Sequence, residues 1–283
     1  MTITEPGIYT MSDEEYHADP VPDGSLSHSG AKVIFGQTPQ HFRHRTDHGQ
    51  QESDTLLFGR AVHAKVLGTG ADVVIYGDSL RTTEARATKA AALAEGKTPL
   101  SAAAAAKADQ MAEAVLAHDI ARKLLERPGT PEMSMFRIDP EVGIWRRSRA
   151  DFLPDIGSPI RPIVVDYKSA ADASPRGFGK AAASYDYPGQ AAWYLADYAA
   201  LGGDPEALFV FIVQEKEPPY AVAVYQAMPN DLAAGHAYNR AAIRRYAECL
   251  AADNWPGYTD HEIKALEVPH WYRDNAPTEG DAA

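Results

Sequence analysis

The chain has 283 residues, of which 45% are hydrophobic and 23% charged, with a formal net charge of −12. That composition is ordinary for a globular protein and excludes a disordered or collagen-like chain. The acidic balance argues against a protein that coats nucleic acid through a broad basic surface, but not against an enzyme with a locally basic site. The one cysteine, Cys249, excludes an internal disulfide and any multi-cysteine metal site. No apolar run is long enough to span a bilayer, and Met1 to Pro6 lacks the features of a secretory leader. No membrane association is therefore expected, and the expected location is the cytoplasm.

Residues 1–26 are rich in turn formers (Pro6-Gly7, Pro20, Pro22, Asp23-Gly24) and read as an arm over the surface. Ser27 or Ser29 can cap a helix towards Arg45, with a break at Thr38-Pro39. A second helical pattern runs from Leu56 to Leu67 and stops at Gly68, with His63 inside it. Ala71 to Tyr76 is a short strand candidate. Residues 79–126 are alanine-rich and predict one or two helices broken near Gly96-Lys97-Thr98-Pro99, a packing or interface insert.

After Arg127-Pro128-Gly129 the period changes to two. Glu132–Ile138, Ile144–Leu153 and Arg161–Lys168 predict a three-strand meander. Ala170 to Tyr187 reads as a loop, Pro188 to Leu201 as a helix, Leu208–Gln214 and Ala221–Tyr225 as strands, and Asp231–Ala251 as a long amphipathic helix. Trp255, Trp271 and Tyr272 are expected to dock the tail as far as about residue 273, with 274–283 disordered. The fold class is mixed α/β: a small mixed sheet built on the meander and flanked by helices, in one domain over 1–273.

The chemistry gathers at the end of the third meander strand. Ile163-Val164-Val165 runs straight into Asp166-Tyr167-Lys168, and Asp166 and Lys168, two apart, share one face of a strand. A buried acid or lysine needs a partner or a job. Asp151 ends the second strand, so a meander can bring it beside Asp166. Two carboxylates held close repel unless they share a proton or a cation. A hard cation such as Mg²⁺ takes oxygen ligands of this kind and supports hydrolysis of a phosphodiester. Glu132 opens the first strand, and Gln190 and Tyr194 lie four apart on one helix face. Taken singly, each of these has a plain structural reading, as a turn former, a snorkelling lysine or a core histidine. No G-x-S-x-G elbow, phosphate-binding G-x-x-x-x-G-K-[ST] loop or G-x-G-x-x-G turn is present.

Asp151 followed by Asp166-Tyr167-Lys168 resembles the bipartite signature of the PD-(D/E)XK nuclease superfamily, with Ala150 where a proline usually precedes the first acid. Gln190-x-x-x-Tyr194 and Gly59-Arg60-Ala61-Val62-His63 resemble motifs of its RecB-like branch. Pro6-Gly7-Ile8-Tyr9, Glu15-Tyr16-His17, Leu57-Phe58-Gly59 and Trp255-Pro256 are similar to the RecE-like nuclease domains of the exodeoxyribonuclease VIII type. The resemblance implies a restriction-endonuclease-like core with helical additions. It implies a Mg²⁺-dependent exonuclease, with Mn²⁺ able to substitute, that degrades linear duplex DNA 5′→3′ and leaves 3′ single strands for recombination. It further implies a ring-shaped homo-oligomer, double-stranded DNA ends as substrate and a single-strand annealing recombinase as partner. Carried over by residue, Asp151 and Asp166 would bind metal with the Tyr167 carbonyl, Glu132 and His63. Lys168 would be the catalytic lysine, with Gln190 and Tyr194 positioning the site. Arg60, Arg147 and Arg149 would line the DNA path, since a threaded ring needs a basic bore. Two other readings stand beside this one: a RecB-like nuclease acting on single strands or endonucleolytically, and a catalytically silent DNA-binding protein of the same fold.

Overall fold

The computed structural model describes residues 1–49, 52–260 and 262–276. In chain order it runs β1 (Gly7–Tyr9), α1 (Asp13–His17), β2 (Leu26–Ser27), α2 (His28–Gly36), α3 (Pro39–His48) and α4 (Asp54–Leu67). It continues with β3 (Val73–Ile75), α5 (Thr83–Ala94), β4 (Thr98–Leu100), α6 (Ala102–Ala117) and α7 (Asp119–Leu125). The remainder is β5 (Gly129–Ile138), β6 (Trp145–Pro154), β7 (Ile163–Ala170), α8 (Pro175–Tyr185), α9 (Tyr187–Ala200), β8 (Leu208–Glu215), β9 (Val222–Gln226), α10 (Pro229–Ala252) and α11 (His270–Asp274). Among the described residues no helix is long and apolar enough to cross a membrane.

The expected meander is present as β5, β6 and β7, at the centre of a mixed seven-stranded sheet ordered β1-β5-β6-β7-β8-β9, with β2 alongside β6. The pairings are antiparallel except β2–β6 and β7–β8. β7 is parallel to β8 over its whole length, from Ile163↔Leu208 to Ala170↔Glu215, because α8 and α9 form the crossover between them. Both faces of the sheet are therefore covered, and β7 is an apolar run that ends in charge. Val164 packs with Phe209, Phe211 and Ala191 on the α9 side. Val165 and Tyr167 pack with Val62, Met111 and Val115 on the side of α4 and α6.

Three expectations about elements are corrected. The first 26 residues are more than a surface arm: β1 extends the sheet along β5, and Ile3, Tyr16 and Val21 are buried against Phe136. The alanine-rich segment breaks near Gly96 as expected, but the break holds a strand. Thr98-Pro99-Leu100 forms β4, paired in parallel with β3, and Leu100 packs with Leu57, Ala61 and Ala105. Ala170 to Tyr187 is not a loop, because α8 occupies most of it. Ser174 caps that helix through Gly177 N–H and Pro175 starts it, a signal present in the sequence.

At the C-terminal end Trp255 stacks on Phe42 with ring centroids 5.6 Å apart and docks the chain there. Trp271 and Tyr272, expected to continue the docking, are exposed. The disorder expected for 274–283 falls mostly on residues 277–283, outside the described residues. Cys249 is buried, as its place in the helical pattern suggests.

Candidate active site

The site lies where β6 and β7 part. Their ladder has one matched pair, Phe152↔Val165, and the same register carried one step further sets Asp151 opposite Asp166. At that step the strands do not pair backbone to backbone. The Asp151 carboxylate enters the gap instead, and Tyr167 donates its backbone N–H to Asp151 Oδ2 at 2.7 Å. On the other side of β6, Pro131 pairs with Phe152 and Met133 with Ala150, which leaves Glu132 facing Asp151. Glu132 has φ of 57°, a left-handed conformation that a non-glycine residue adopts at a cost of about 1–3 kcal/mol. The kink interrupts the ladder at Glu132, whose carboxylate meets His63 of α4.

His63 bridges the two acids. Its Nδ1 lies 2.9 Å from Glu132 Oε1 and its Nε2 lies 2.9 Å from Asp151 Oδ2. Burial opposes charge on the ring, but Asp151 and Glu132 together raise its pKa well above the ordinary histidine value. Asp151 is half-buried, and desolvation favours its proton, yet His63 and Lys168 hold its carboxyl below the usual value.

Asp166 is fully buried. Its Oδ1 accepts from Gln190 Nε2 at 3.1 Å. Its Oδ2 lies 2.6 Å from Lys168 Nζ, an ion pair, and meets no other polar partner among the described residues. Burial, and next Asp151, push the Asp166 carboxyl up to about 7 against the pull of Lys168. Burial disfavours the Lys168 ammonium, but Asp166 and Asp151 outweigh it and raise its pKa. Gln190 also donates to Tyr194 Oη at 3.2 Å, and burial keeps that phenol neutral by raising its pKa well above 10.

Asp151, Asp166, Lys168, Glu132, His63, Gln190, Tyr194 and the Tyr167 backbone thus lie in one connected set. The arginines do not join it as a DNA-facing surface. Arg149 is buried and donates to Ser134 Oγ and to the Met11 and Ser12 carbonyls, with Glu132 3.7 Å away. Arg147 donates to Asp19, to Ser25 Oγ and to the Ser25 carbonyl. Both guanidiniums anchor the N-terminal segment to the sheet, where an outward-facing lining of a DNA path was expected. A desolvated guanidinium held by carboxylate, hydroxyl and carbonyl oxygens inside the fold is not turned towards a phosphate on the surface. Arg60 is partly exposed and pairs with Glu52 at 2.9 Å and Asp13 at 3.6 Å.

Two residues with a part in the site were missed in the sequence. Gln214 is buried in β8, accepts from Tyr167 Oη at 2.6 Å and donates to the Met111 carbonyl at 2.8 Å. It ties β7 to α6, and a glutamine closing an otherwise apolar strand was the signal. Tyr187 lies with its ring centroid 4.9 Å from Lys168 Nζ, and its signal was the start of α9 at Asp186-Tyr187-Pro188.

From residue 27 to residue 264 the chain matches a family described as a PDDEXK-like domain of unknown function (DUF3799). The chain belongs to this family. The match spans the whole site and places the protein in the PD-(D/E)XK nuclease superfamily. A crystal structure from Eubacterium rectale named "Putative exonuclease" is similar in fold, with TM-score 0.60 and 15% identity over 96% of this chain and 95% of that one. The crystal structure of a phage-related exonuclease from Haemophilus somnus 129PT aligns over 81% of this chain and 96% of that one at 12% identity, but its TM-score of 0.34 supports no argument. No curated protein matches in sequence. The restriction-endonuclease-like fold expected from the sequence is thereby established.

Among the described residues no three His, Cys, Asp or Glu side chains converge in a ready metal-binding arrangement. His63 occupies its two acids directly, and Lys168 faces Asp166. The donor set nevertheless fits a hard divalent cation. Asp166 Oδ2 is a buried carboxyl oxygen with Lys168 as its one partner among the described residues, and a second carboxylate stands across the strand gap.

Proposed function

We propose that the chain is a divalent-cation-dependent nuclease that hydrolyses phosphodiester bonds of DNA at the gap between Asp151 and Asp166. The observation that carries this reading is the pair of carboxyls, Asp166 fully buried and Asp151 across the strand gap from it, with Lys168 Nζ 2.6 Å from Asp166 Oδ2. Holding two carboxyls this close, one of them fully buried, opposes folding, and it suits a site that accepts positive charge. Asp151, Asp166 and the Tyr167 carbonyl would hold Mg²⁺, with Mn²⁺ able to substitute. When bound, such a cation supplies charge stabilisation at the phosphate and lowers the pKa of a water.

The chain's own groups do the rest. Lys168 remains an ammonium, and next to Asp166 it orients the attacking water or stabilises charge developing on the phosphate. Gln190 fixes the Asp166 carboxylate through Oδ1, and the neutral Tyr194 hydroxyl accepts from the same amide. His63 sets the spacing of Glu132 and Asp151. Glu132 would contact the cation directly or through water.

The resemblance to the exodeoxyribonuclease VIII type supports the finer reading. The substrate is the end of linear double-stranded DNA, degraded 5′→3′ to leave 3′ single strands. The assembly is a ring-shaped homo-oligomer that works with a single-strand annealing recombinase. The test is incubation with Mg²⁺ of linear duplex labelled at either 5′ or 3′ ends, beside covalently closed circles. Early loss of the 5′ label with closed circles intact is expected. Cutting of closed circles would contradict the exonuclease reading, and early loss of the 3′ label would contradict the polarity.

A further inference from the structure

A ladder of aromatic rings and ammonium groups leads out of the site. Lys168 Nζ lies 4.9 Å from the Tyr187 ring centroid. The Tyr187 ring is stacked with Tyr185 at 5.7 Å and 27°. Beyond Tyr185, Lys32 Nζ lies 5.8 Å from that ring, and it also reaches the Tyr185 carbonyl at 3.4 Å. The order from the site outward is cation, ring, ring, cation. Tyr187 is half-buried against Phe178 and Phe211, so its inner face is ordinary core packing. Tyr185 has no such excuse: it is 56% exposed and projects past the core.

The backbone between the two rings is arranged to make them parallel. Residues two apart on a helix do not face each other. Here Asp186 interrupts the path with φ 55° and ψ 46°, ending α8 and capping α9 through Gly189 N–H. That left-handed kink turns Tyr185 and Tyr187 to the same side. His28 fixes it from α2, with Nε2 3.1 Å from Asp186 Oδ2, and is itself buried. Gly189 leaves the space for it, since a Cβ there would lie 2.3 Å from the Asp186 carboxylate.

We propose that Tyr185 and Tyr187 form a stacking platform for unpaired bases of the DNA strand being cut, with Lys32 and Lys168 on the flanking phosphates. The proposal rests on the nuclease reading and adds to it how the strand is held. Exposed rings interleaved with cations are the means by which proteins hold single strands without reading sequence, because every base has a π face. An unpaired base on Tyr185 would place the neighbouring phosphate towards Lys168 and the two acids.

The test is equilibrium binding of a single-stranded oligonucleotide carrying one 2-aminopurine, with Ca²⁺ replacing Mg²⁺, beside an abasic oligonucleotide of equal length. Tyr185→Ala, at an exposed position, is expected to keep the melting temperature. It should weaken binding of the normal strand about 5- to 150-fold and abolish quenching of the 2-aminopurine. It should leave binding of the abasic strand as it is in the wild type, and Tyr185→Trp should restore binding. Unchanged binding by Tyr185→Ala, or an equal loss on the abasic strand, overturns the platform while the nuclease reading stands. A wild type that neither binds nor degrades DNA overturns both.

Discussion

Tyr167 donates its backbone N–H to Asp151 Oδ2 at 2.7 Å, and this bond sets the distance between the two acids of the site. It replaces a ladder hydrogen bond, so β6 and β7 separate at the point where Asp151 and Asp166 face each other. The geometry is held from behind by Gln214, which accepts from the Tyr167 hydroxyl at 2.6 Å. The site is therefore a defect in a sheet, stabilised on both sides of the strand that carries it.

Gln190 donates the hydrogen bond that Asp166 Oδ1 accepts, at 3.1 Å. Groups that orient a metal-binding carboxylate typically contribute about 10–100-fold to metal affinity or activity. Gln190→Ala is expected to raise the Mg²⁺ concentration for half-maximal nuclease activity by about that factor. A titration of activity against Mg²⁺ reads it, and an unchanged midpoint would argue that Asp166 does not hold the cation.

Stability should depend on pH in the chelated protein. Asp166 has a folded-state pKa near 7 against 3.8 for an ordinary aspartate, so the folded chain retains a proton that the unfolded chain releases. Stability is thus lost as pH rises between those values. His63, raised above 6.5, acts in the same direction: its contribution is fully present below 6.5 and is lost as pH rises through its folded-state value. A cation on the carboxylates removes the cost at Asp166. The melting temperature in chelator should fall from about pH 5 to about pH 8, and the rise on adding Mg²⁺ should be larger at about pH 8 than at about pH 6. An equal rise at both would contradict cation binding at Asp166.

The placement of α9 depends on Gly235 of α10. A Cβ there would lie 2.6 Å from Gly189 N and from the Pro188 carbonyl, backbone atoms that cannot move without shifting α9. Gly235→Ala is expected to cost about 1–3 kcal/mol of stability and to reduce activity by displacing Gln190. Denaturant unfolding and a nuclease assay together check this; wild-type values in both would show that α9 is not held by this contact.

How far the sequence reveals the site depends on whether the signal is local. The β7 strand announces itself, because Ile163-Val164-Val165 followed by Asp166 and Lys168 fixes both the strand and the shared face. The α4 helix was legible from Leu56 to its stop at Gly68, which is left-handed, while its start at the Ser53 cap was not. Arg147 and Arg149 could not be placed the same way. Their alternation predicts a common face, but whether that face meets solvent or Asp19, Ser25 and Met11 is decided by a distant segment folding back. Thr98-Pro99-Leu100 was hidden for a related reason: a three-residue strand has no period to detect, and only its pairing with Val73–Ile75 makes it one. The Glu132 kink has no local signature either, since glutamate rarely adopts positive φ and tertiary contacts impose it.

The most direct test of the central claim is release of nucleotides from linear duplex DNA by the wild type, Asp166→Asn and Lys168→Gln, each with Mg²⁺ and with chelator, after folding is checked by melting. The account predicts Mg²⁺-dependent release by the wild type and at least about a 100-fold loss in each variant. Release that persists in chelator, or that survives both substitutions, would contradict it.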